Sequence, residues 1–197
     1  MSPAESLIRL RILINETAGT GGFWNDTQLY ELLDSGQNMV IQQLISLMKE
    51  ERKLNPYSIP KDLEPLIKLD TLNTTTIGAT EQEYVFPAAD FLQTYRAAYT
   101  TTGVGTLYEA TNLSYEEIKK RENNVYTASK ITAPVYYVKT TKIGFYPQPS
   151  GAHANGYEHY YIAQPSAVAV GGAFALLPNT HEEIIQAALQ LAKVKDN

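Results

Sequence analysis

The chain has no cysteine. That excludes disulfides and cysteine-based zinc sites and leaves the redox compartment open. Charge is also scarce: Asp, Glu, Lys and Arg make up 19% of 197 residues, against roughly 25% in an average domain. The balance is acidic, with a formal net charge of −5, which argues against a protein that holds nucleic acid by neutralising phosphates. Long apolar runs are missing too. The longest, Ala167 to Leu177, is 11 residues with two glycines inside it, short of the about 18 that a membrane helix needs. The opening MSPAES puts no basic stretch ahead of an apolar core, so no signal peptide and no membrane contact are expected.

The motifs of common chemistry are absent as well. Gly19-Thr20-Gly21-Gly22 has no Lys-Ser or Lys-Thr after it and is not a phosphate loop. Gly103-Val104-Gly105 lacks the third glycine of a dinucleotide fingerprint, and no G-x-S-x-G or H-E-x-x-H occurs. His153, Glu158 and His159 lie close together, but two histidines without a fixed helical or hairpin spacing are a weak metal signal. They are expected to be solvated loop residues. Asp62-Leu63-Glu64 and Glu81-Gln82-Glu83 supply carboxylates that nothing positions as an acid–base pair. His181 reads as a first-turn helix residue, and Lys119-Lys120-Arg121, followed by Glu122, as a solvated helix face. The expectation is therefore no catalytic residue, no metal and no cofactor.

What the chain does have is length and tyrosine. At this size a single core can bury about 70% of the unfolded surface without a staple. The 14 tyrosines suit interfaces and half-wet sheet faces equally. Ser2-Pro3 opens a first helix over 3–15, with Leu7, Ile8, Leu10, Ile12, Leu13 and Ile14 supplying its apolar faces. Ile8-Leu10-Ile12-Ile14 also alternates like a strand, and the start signal decides for helix. Asn25 or Asp26 caps a long helix over 27–53. Leu29, Leu32, Leu33, Met39, Val40, Leu44, Leu47 and Met48 form its stripe, and Gly36 is tolerated inside it. Lys49, Arg52 and Lys53 complement its C-terminal dipole.

From Pro56 the period changes to that of strands. Expected strands are 66–72, 74–77, 83–86, 91–101, 107–112, 135–139, 143–146 and 157–163, with a hairpin turn at Lys139-Thr140-Thr141-Lys142. One short helix, about 114–124, interrupts them behind the capping box Ser114-Tyr115-Glu116-Glu117. A last helix follows Leu176-Leu177-Pro178 with its own box, Thr180-His181-Glu182-Glu183. On its wheel Glu182, Gln186, Gln190 and Lys193 hold a polar arc of roughly 100°, and apolar residues cover roughly 220°. A surface helix in a monomer shows the reverse balance. Either the two N-terminal helices enclose it or a second subunit covers what they leave, through Ile184, Ile185, Ala188, Leu189, Leu191, Ala192 and Val194.

The fold expected is α+β. Residues 1–58 and 176–197 form a helical bundle, and 59–175 form a central antiparallel β-sandwich or barrel-like insertion. Trp24, Pro87, Phe91, Pro147, Pro165 and Pro178 are the structural anchors. Trp24, just before a helix cap, packs its loop on the bundle more readily than it serves as a binding hot spot.

The order of these pieces resembles the head-to-tail connector (adaptor) proteins of tailed bacteriophages. The resemblance rests on five stretches: Phe23-Trp24-Asn25-Asp26-Thr27-Gln28-Leu29 ahead of the long helix; Tyr84-Val85-Phe86-Pro87-Ala88-Ala89-Asp90-Phe91-Leu92; the two proline-ended aromatic strands at Ile143–Pro149 and Tyr157–Pro165; and Leu176–Ala192 opening the final Ala-rich helix. It covers nearly the whole chain; the insert Thr100–Pro134 departs from the pattern. The resemblance implies a structural virion protein at the head–tail junction, assembled in the host cytoplasm. It also implies a ring homo-oligomer, commonly a dodecamer, lying beneath a portal protein and above a downstream tail or nozzle protein. DNA would pass through the lumen. Two other readings compete. One is a carbohydrate- or receptor-binding β-sandwich using Tyr136, Tyr137, Tyr157, Tyr160 and Tyr161 as a platform. The other is a small hydrolase using His153 or His159. Alternation along a strand already prevents Tyr160 and Tyr161 from facing one ligand.

Overall fold

The structure is a computed structural model that describes residues 1–18, 24–53, 58–69, 83–85, 90–99, 106–124, 126–139, 142–147 and 157–195. It is α+β and divides into two compact units, Met1–Leu66 with Pro165–Asn197, and Ile67–Gln164. These bounds differ from the expected 58/59 and 175/176, and the reasons lie in the connectors described below.

In the first unit, α1 (Pro3–Ala18) starts where Ser2 and Glu5 cap each other: the Ser2 N–H donates to the Glu5 carboxylate at 2.7 Å and the Glu5 N–H to the Ser2 hydroxyl at 3.3 Å. Its inner face is Leu7, Leu10 and Ile14, while Ile8 and Ile12 point to solvent. The strand-like alternation is thus split across two sides of a helix. In α2 (Asp26–Glu51) the cap is Asn25, in a reciprocal box with Gln28. The buried stripe runs Leu29, Leu32, Leu33, Gly36, Gln37, Val40, Ile41, Ile45 and Met48. Ile41 and Ile45 take the place expected for Leu44 and Leu47, the latter being exposed.

The last helix, α4 (His181–Lys195), packs on both α1 and α2. Ile184, Ile185, Ala188, Leu189 and Ala192 are buried by this packing, and each fully covered Ile or Leu contributes about 1.5–3 kcal/mol. The contact with α2 is close. A Cβ added at Gly36 would sit 2.6 Å from the Ile184 carbonyl oxygen and 3.0 Å from the Ala188 nitrogen. Gly36 is therefore required by helix approach and is not merely tolerated. Entry into α4 also differs from expectation. A 3₁₀ turn at Pro178–Thr180 leads directly into the helix, and the Thr180 hydroxyl donates to the Leu177 carbonyl at 2.8 Å. The Thr180–Glu183 capping box gives way to this turn: the helical path already begins at Pro178, so the extended cap position falls at Leu177 and Thr180 lies inside the turn.

Two connectors join the helices instead of the strands. A second 3₁₀ turn, Lys61–Leu66, packs on α2 and buries Leu63 and Leu66; it takes Leu66 out of the expected strand 66–72. Residues 165–175 form a strap across α2: the Val168 N–H donates to Asp34 Oδ1 at 3.0 Å and the Ala175 N–H to Gln37 Oε1 at 2.8 Å.

The second unit holds β1 (Ile67–Leu69), β2 (Glu83–Val85), β3 (Phe91–Tyr99), β4 (Tyr108–Glu109), β5 (Thr111–Asn112), α3 (Tyr115–Glu122), β6 (Val135–Lys139), β7 (Lys142–Tyr146) and β8 (Tyr157–Ala163). The strands form two sheets, ordered β1-β8-β3-β4 and β2-β7-β6-β5. Ala97, Tyr99 and Tyr157 of the first and Tyr136, Ile143 and Phe145 of the second share one core. In it Tyr99 stacks on Phe145 at 4.8 Å between ring centroids.

The expected strand 107–112 is really two. The chain crosses between sheets at buried Ala110, whose N–H bonds the Ala97 carbonyl, while the Thr111 N–H bonds that of Pro134. In consequence β5 pairs parallel to β6, so the insertion is not purely antiparallel. The capping box at Ser114 and Glu117 starts α3 as expected. The expected strand 74–77, Phe86, Pro87 and the turn at 140–141 lie outside the described residues.

Gly36→Ala tests the close approach. Alanine gains about 1 kcal/mol of helix propensity over glycine. A 2.6 Å clash with the backbone of another helix outweighs this, because only a shift of α4 relieves it. We expect a net loss of about 1–3 kcal/mol, read as a lower urea midpoint. A gain in stability would show that α4 does not lie this close.

Candidate interaction surfaces

The titratable residues singled out in the sequence do not converge. His159 is fully buried on β8, not solvated; its Nε2 lies 3.1 Å from the Thr94 hydroxyl and its ring stands 5.9 Å from that of Tyr161. Strand alternation sends neighbouring Glu158 to the other face, and His153 is outside the described residues. His181 is buried as well, with its ring 4.6 Å from Phe174 and Nε2 3.2 Å from the Leu176 carbonyl. Asp62 accepts from Asn179 Nδ2 at 2.8 Å. Glu64 is exposed, and Glu81 is not among the described residues. Among the described residues no three His, Asp or Glu side chains group as metal ligands.

The tyrosine platform is not on the surface either. Tyr136 and Tyr157 lie inside the sandwich, Tyr137 is covered by α3, Tyr161 is buried, and only Tyr160 is half-exposed. Strand periodicity places alternate tyrosines on one face but does not say what covers that face.

Sequence reasoning missed one polar cluster. Glu83, Gly144 and Tyr137 stand in register across β2, β7 and β6. The Tyr137 ring crosses over Gly144, where a Cβ would lie 2.3 Å from it, and donates its hydroxyl to Glu83 Oε1 at 2.6 Å. Lys139 donates to the same oxygen at 2.6 Å, and Lys142 lies 3.5 Å from the other. These cations and the phenol hold the Glu83 carboxyl at about 2, chiefly through the Lys139 hydrogen bond. Burial, with Glu83 beside it, pushes the Tyr137 phenol up. Above the cluster, Tyr115 of α3 takes Lys139 over its ring at 4.5 Å and Lys119 at 5.3 Å. Lys119 is thus engaged with an aromatic face, while Lys120 and Arg121 are exposed. Glu83 and Tyr137 are too far apart in sequence for any local pattern to link them.

The expected interface on α4 is largely used within the chain. Ile184, Ile185, Ala188, Leu189 and Ala192 are buried by α1 and α2; Leu191 is half-buried and Val194 is 74% exposed. Of the anchors, Trp24 and Pro165 are half-buried, and Phe91 packs against the sandwich core. Pro147 follows β7 half-buried, Pro178 is exposed at the first position of its 3₁₀ turn, and Pro87 is outside the described residues.

Other exposed apolar side chains of the helical unit include Ile8, 59% exposed, Ile12, 50%, Leu47, 55%, and Val170 at the tip of the strap, 80%. Beside Val170 lies a cleft of about 440 Å³ lined by Tyr30, Glu31, Asp34, Val168 and Val170. No helix among the described residues is long and apolar enough to cross a membrane.

Among the described residues the helical unit of this α+β chain thus leaves apolar side chains exposed, as proteins that work through their surfaces do. The family model described as SU10 adaptor protein matches residues 3–197, and the chain belongs to that family. It is a bacteriophage adaptor, a structural protein. No curated protein matches the chain.

The Glu83 cluster sets a pH dependence. With the folded carboxyl lowered from 4.5 to about 2, the unfolded chain binds the extra proton between those values. The stabilisation is therefore complete above about pH 4.5 and is lost as pH falls toward about 2. Urea titrations of wild type and Glu83→Gln are expected to differ most above that window and to converge within it. A difference independent of pH would show that the carboxylate is not held by Tyr137 and Lys139.

Proposed function

We propose that this protein is a head-to-tail adaptor that assembles into a ring beneath the portal protein and joins it to a downstream tail or nozzle protein. DNA passes through its lumen. The observation that carries this reading is the family match, which runs over residues 3–197 and so includes both compact units. The net charge of −5 suits a channel wall that repels the phosphate backbone and lets DNA slide. A closed ring needs two different faces on each subunit, and the helical unit offers exposed apolar groups on α1, on the strap and at Val194 of α4. The proposed setting is the virion head–tail junction after assembly in the host cytoplasm, without a membrane. The twelvefold count follows the resemblance to connector proteins. Neither the tyrosine platform nor the histidines support a ligand-binding or hydrolytic reading, because those side chains are covered within the fold wherever they are described, apart from half-exposed Tyr160.

The test is the mass of the purified protein by light scattering, alone and mixed with its portal protein, with electron micrographs of both samples. Rings are expected in at least one condition. A monomer in both would overturn the reading.

A further inference from the structure

Two outward apolar features of the helical unit, on α1 and beside the strap, have opposite electrostatic settings. Ile8 and Ile12 are one turn apart on α1 and share one side, with the inner face of Leu7, Leu10 and Ile14 turned away from them. Stepping about 100° per residue, Arg9 and Arg11 flank this pair at roughly 80° on either side. Their present partners are exposed carboxylates, Glu182 for Arg9 and Asp26 for Arg11. Such surface pairs contribute only about 0–1 kcal/mol, so they can be exchanged at little cost.

The cleft beside the strap is the converse. Tyr30, Val168 and Val170 make it mainly apolar, while Glu31 and Asp34 give it an acidic rim. Asp34 is partly occupied by the Val168 N–H, but the Glu31 carboxylate makes no ion pair among the described residues. The strap beyond it is uncharged and exposed at Ala167, Ala169, Val170 and Ala173.

We propose that the cleft between α2 and the strap receives the Ile8–Ile12 face of α1 from a neighbouring copy of the chain, with Arg9 and Arg11 meeting the acidic rim. This rests on the ring reading above and names the contact that would close the ring. An apolar ridge with basic flanks fits an apolar cleft with acidic edges in shape class and in sign. Both are open to solvent in the single chain, so only a second copy can bring them together. The two patches differ, hence the contact is head-to-tail, and each copy keeps one unfilled half until the ring closes.

The test uses two variants at exposed positions: Ile12→Glu, which spoils the ridge, and Val170→Glu, which spoils the cleft. Each keeps the other half intact. Under the condition in which wild type assembles, each variant alone is expected to be monomeric, or to need at least about tenfold more protein to assemble. An equimolar mixture is expected to give a dimer and nothing larger, because one intact ridge and one intact cleft make a single contact. Circular dichroism checks folding. If Ile12→Glu is poorly helical, Ile8→Gln/Ile12→Gln replaces it, since glutamine is a good helix former. Assembly of either variant like wild type would overturn the proposal. So would monomeric variants whose mixture yields no dimer, or variants that form rings normally but no longer bind portal, which would assign the face to the portal. A wild type that stays monomeric with and without portal removes the ring reading itself; failure of the variants alone to behave as stated removes only this contact.

Discussion

The helical unit depends on one close approach, the backbone of α4 against Gly36 of α2. With no side chain at that position, the Ile184 carbonyl and the Ala188 nitrogen come to within 3 Å of where a Cβ would stand. Approach this close lets Ile184, Ile185 and Ala188 bury fully. It also joins the two ends of the chain, because α2 precedes the whole β unit and α4 follows it. A chain that leaves a unit for residues 67–164 and returns must restore a core across that gap. The strap at 165–175 supports the same closure from Asp34 and Gln37, polar side chains of α2 that accept backbone N–H groups otherwise left unpaired near a buried face. Loss of the helix contact would leave both bonds without an organising surface.

In the β unit the comparable constraint is that the second sheet is covered on both faces. Tyr136, Ile143 and Phe145 point into the sandwich, while Val135, Tyr137 and Tyr146 lie under Ile118 and Tyr115 of α3. The consecutive tyrosines at 136 and 137 therefore serve two different cores. Gly144 is the hinge of this arrangement: the missing side chain leaves the path along which Tyr137 reaches Glu83 across an intervening strand. A buried phenol needs a partner, and here the partner lies two strands away.

Local signals in the sequence were reliable where the physics is local. The box at Ser114 and Glu117 is satisfied within three residues of chain, so reading it requires no knowledge of the fold, and the expected cap at Asn25 or Asp26 falls on Asn25, closed by Gln28 at the same spacing. The ends of β7 and β8 near Pro147 and Pro165 follow from the missing N–H of proline. The box at Thr180 does not form because a 3₁₀ turn begins the helical path at Pro178 and moves the cap position back to Leu177. The strand at 107–112 split because its residues pair with two different sheets on either side of Ala110, a choice made by partners far away in sequence. The burial of His159 is not legible in the sequence, because a histidine in an alternating aromatic strand gives no sign of which side is inside.

By itself the sequence determined the α+β class, the kind and approximate extent of most elements, and an order of elements that matches the adaptor family. Those properties come from hydrogen bonds and dihedral preferences that neighbouring residues settle among themselves. Only the tertiary structure decided which apolar faces remain available. The wheel of α4 shows an arc too wide for one neighbour, yet α1 and α2 together cover most of it. The wheel of α1 shows apolar residues on two sides, and the fold uses one and leaves Ile8 and Ile12 in solvent. Periodicity states that a face is apolar; which other segment of the chain comes to cover it is a matter of packing between elements, and that is written nowhere in a single helix.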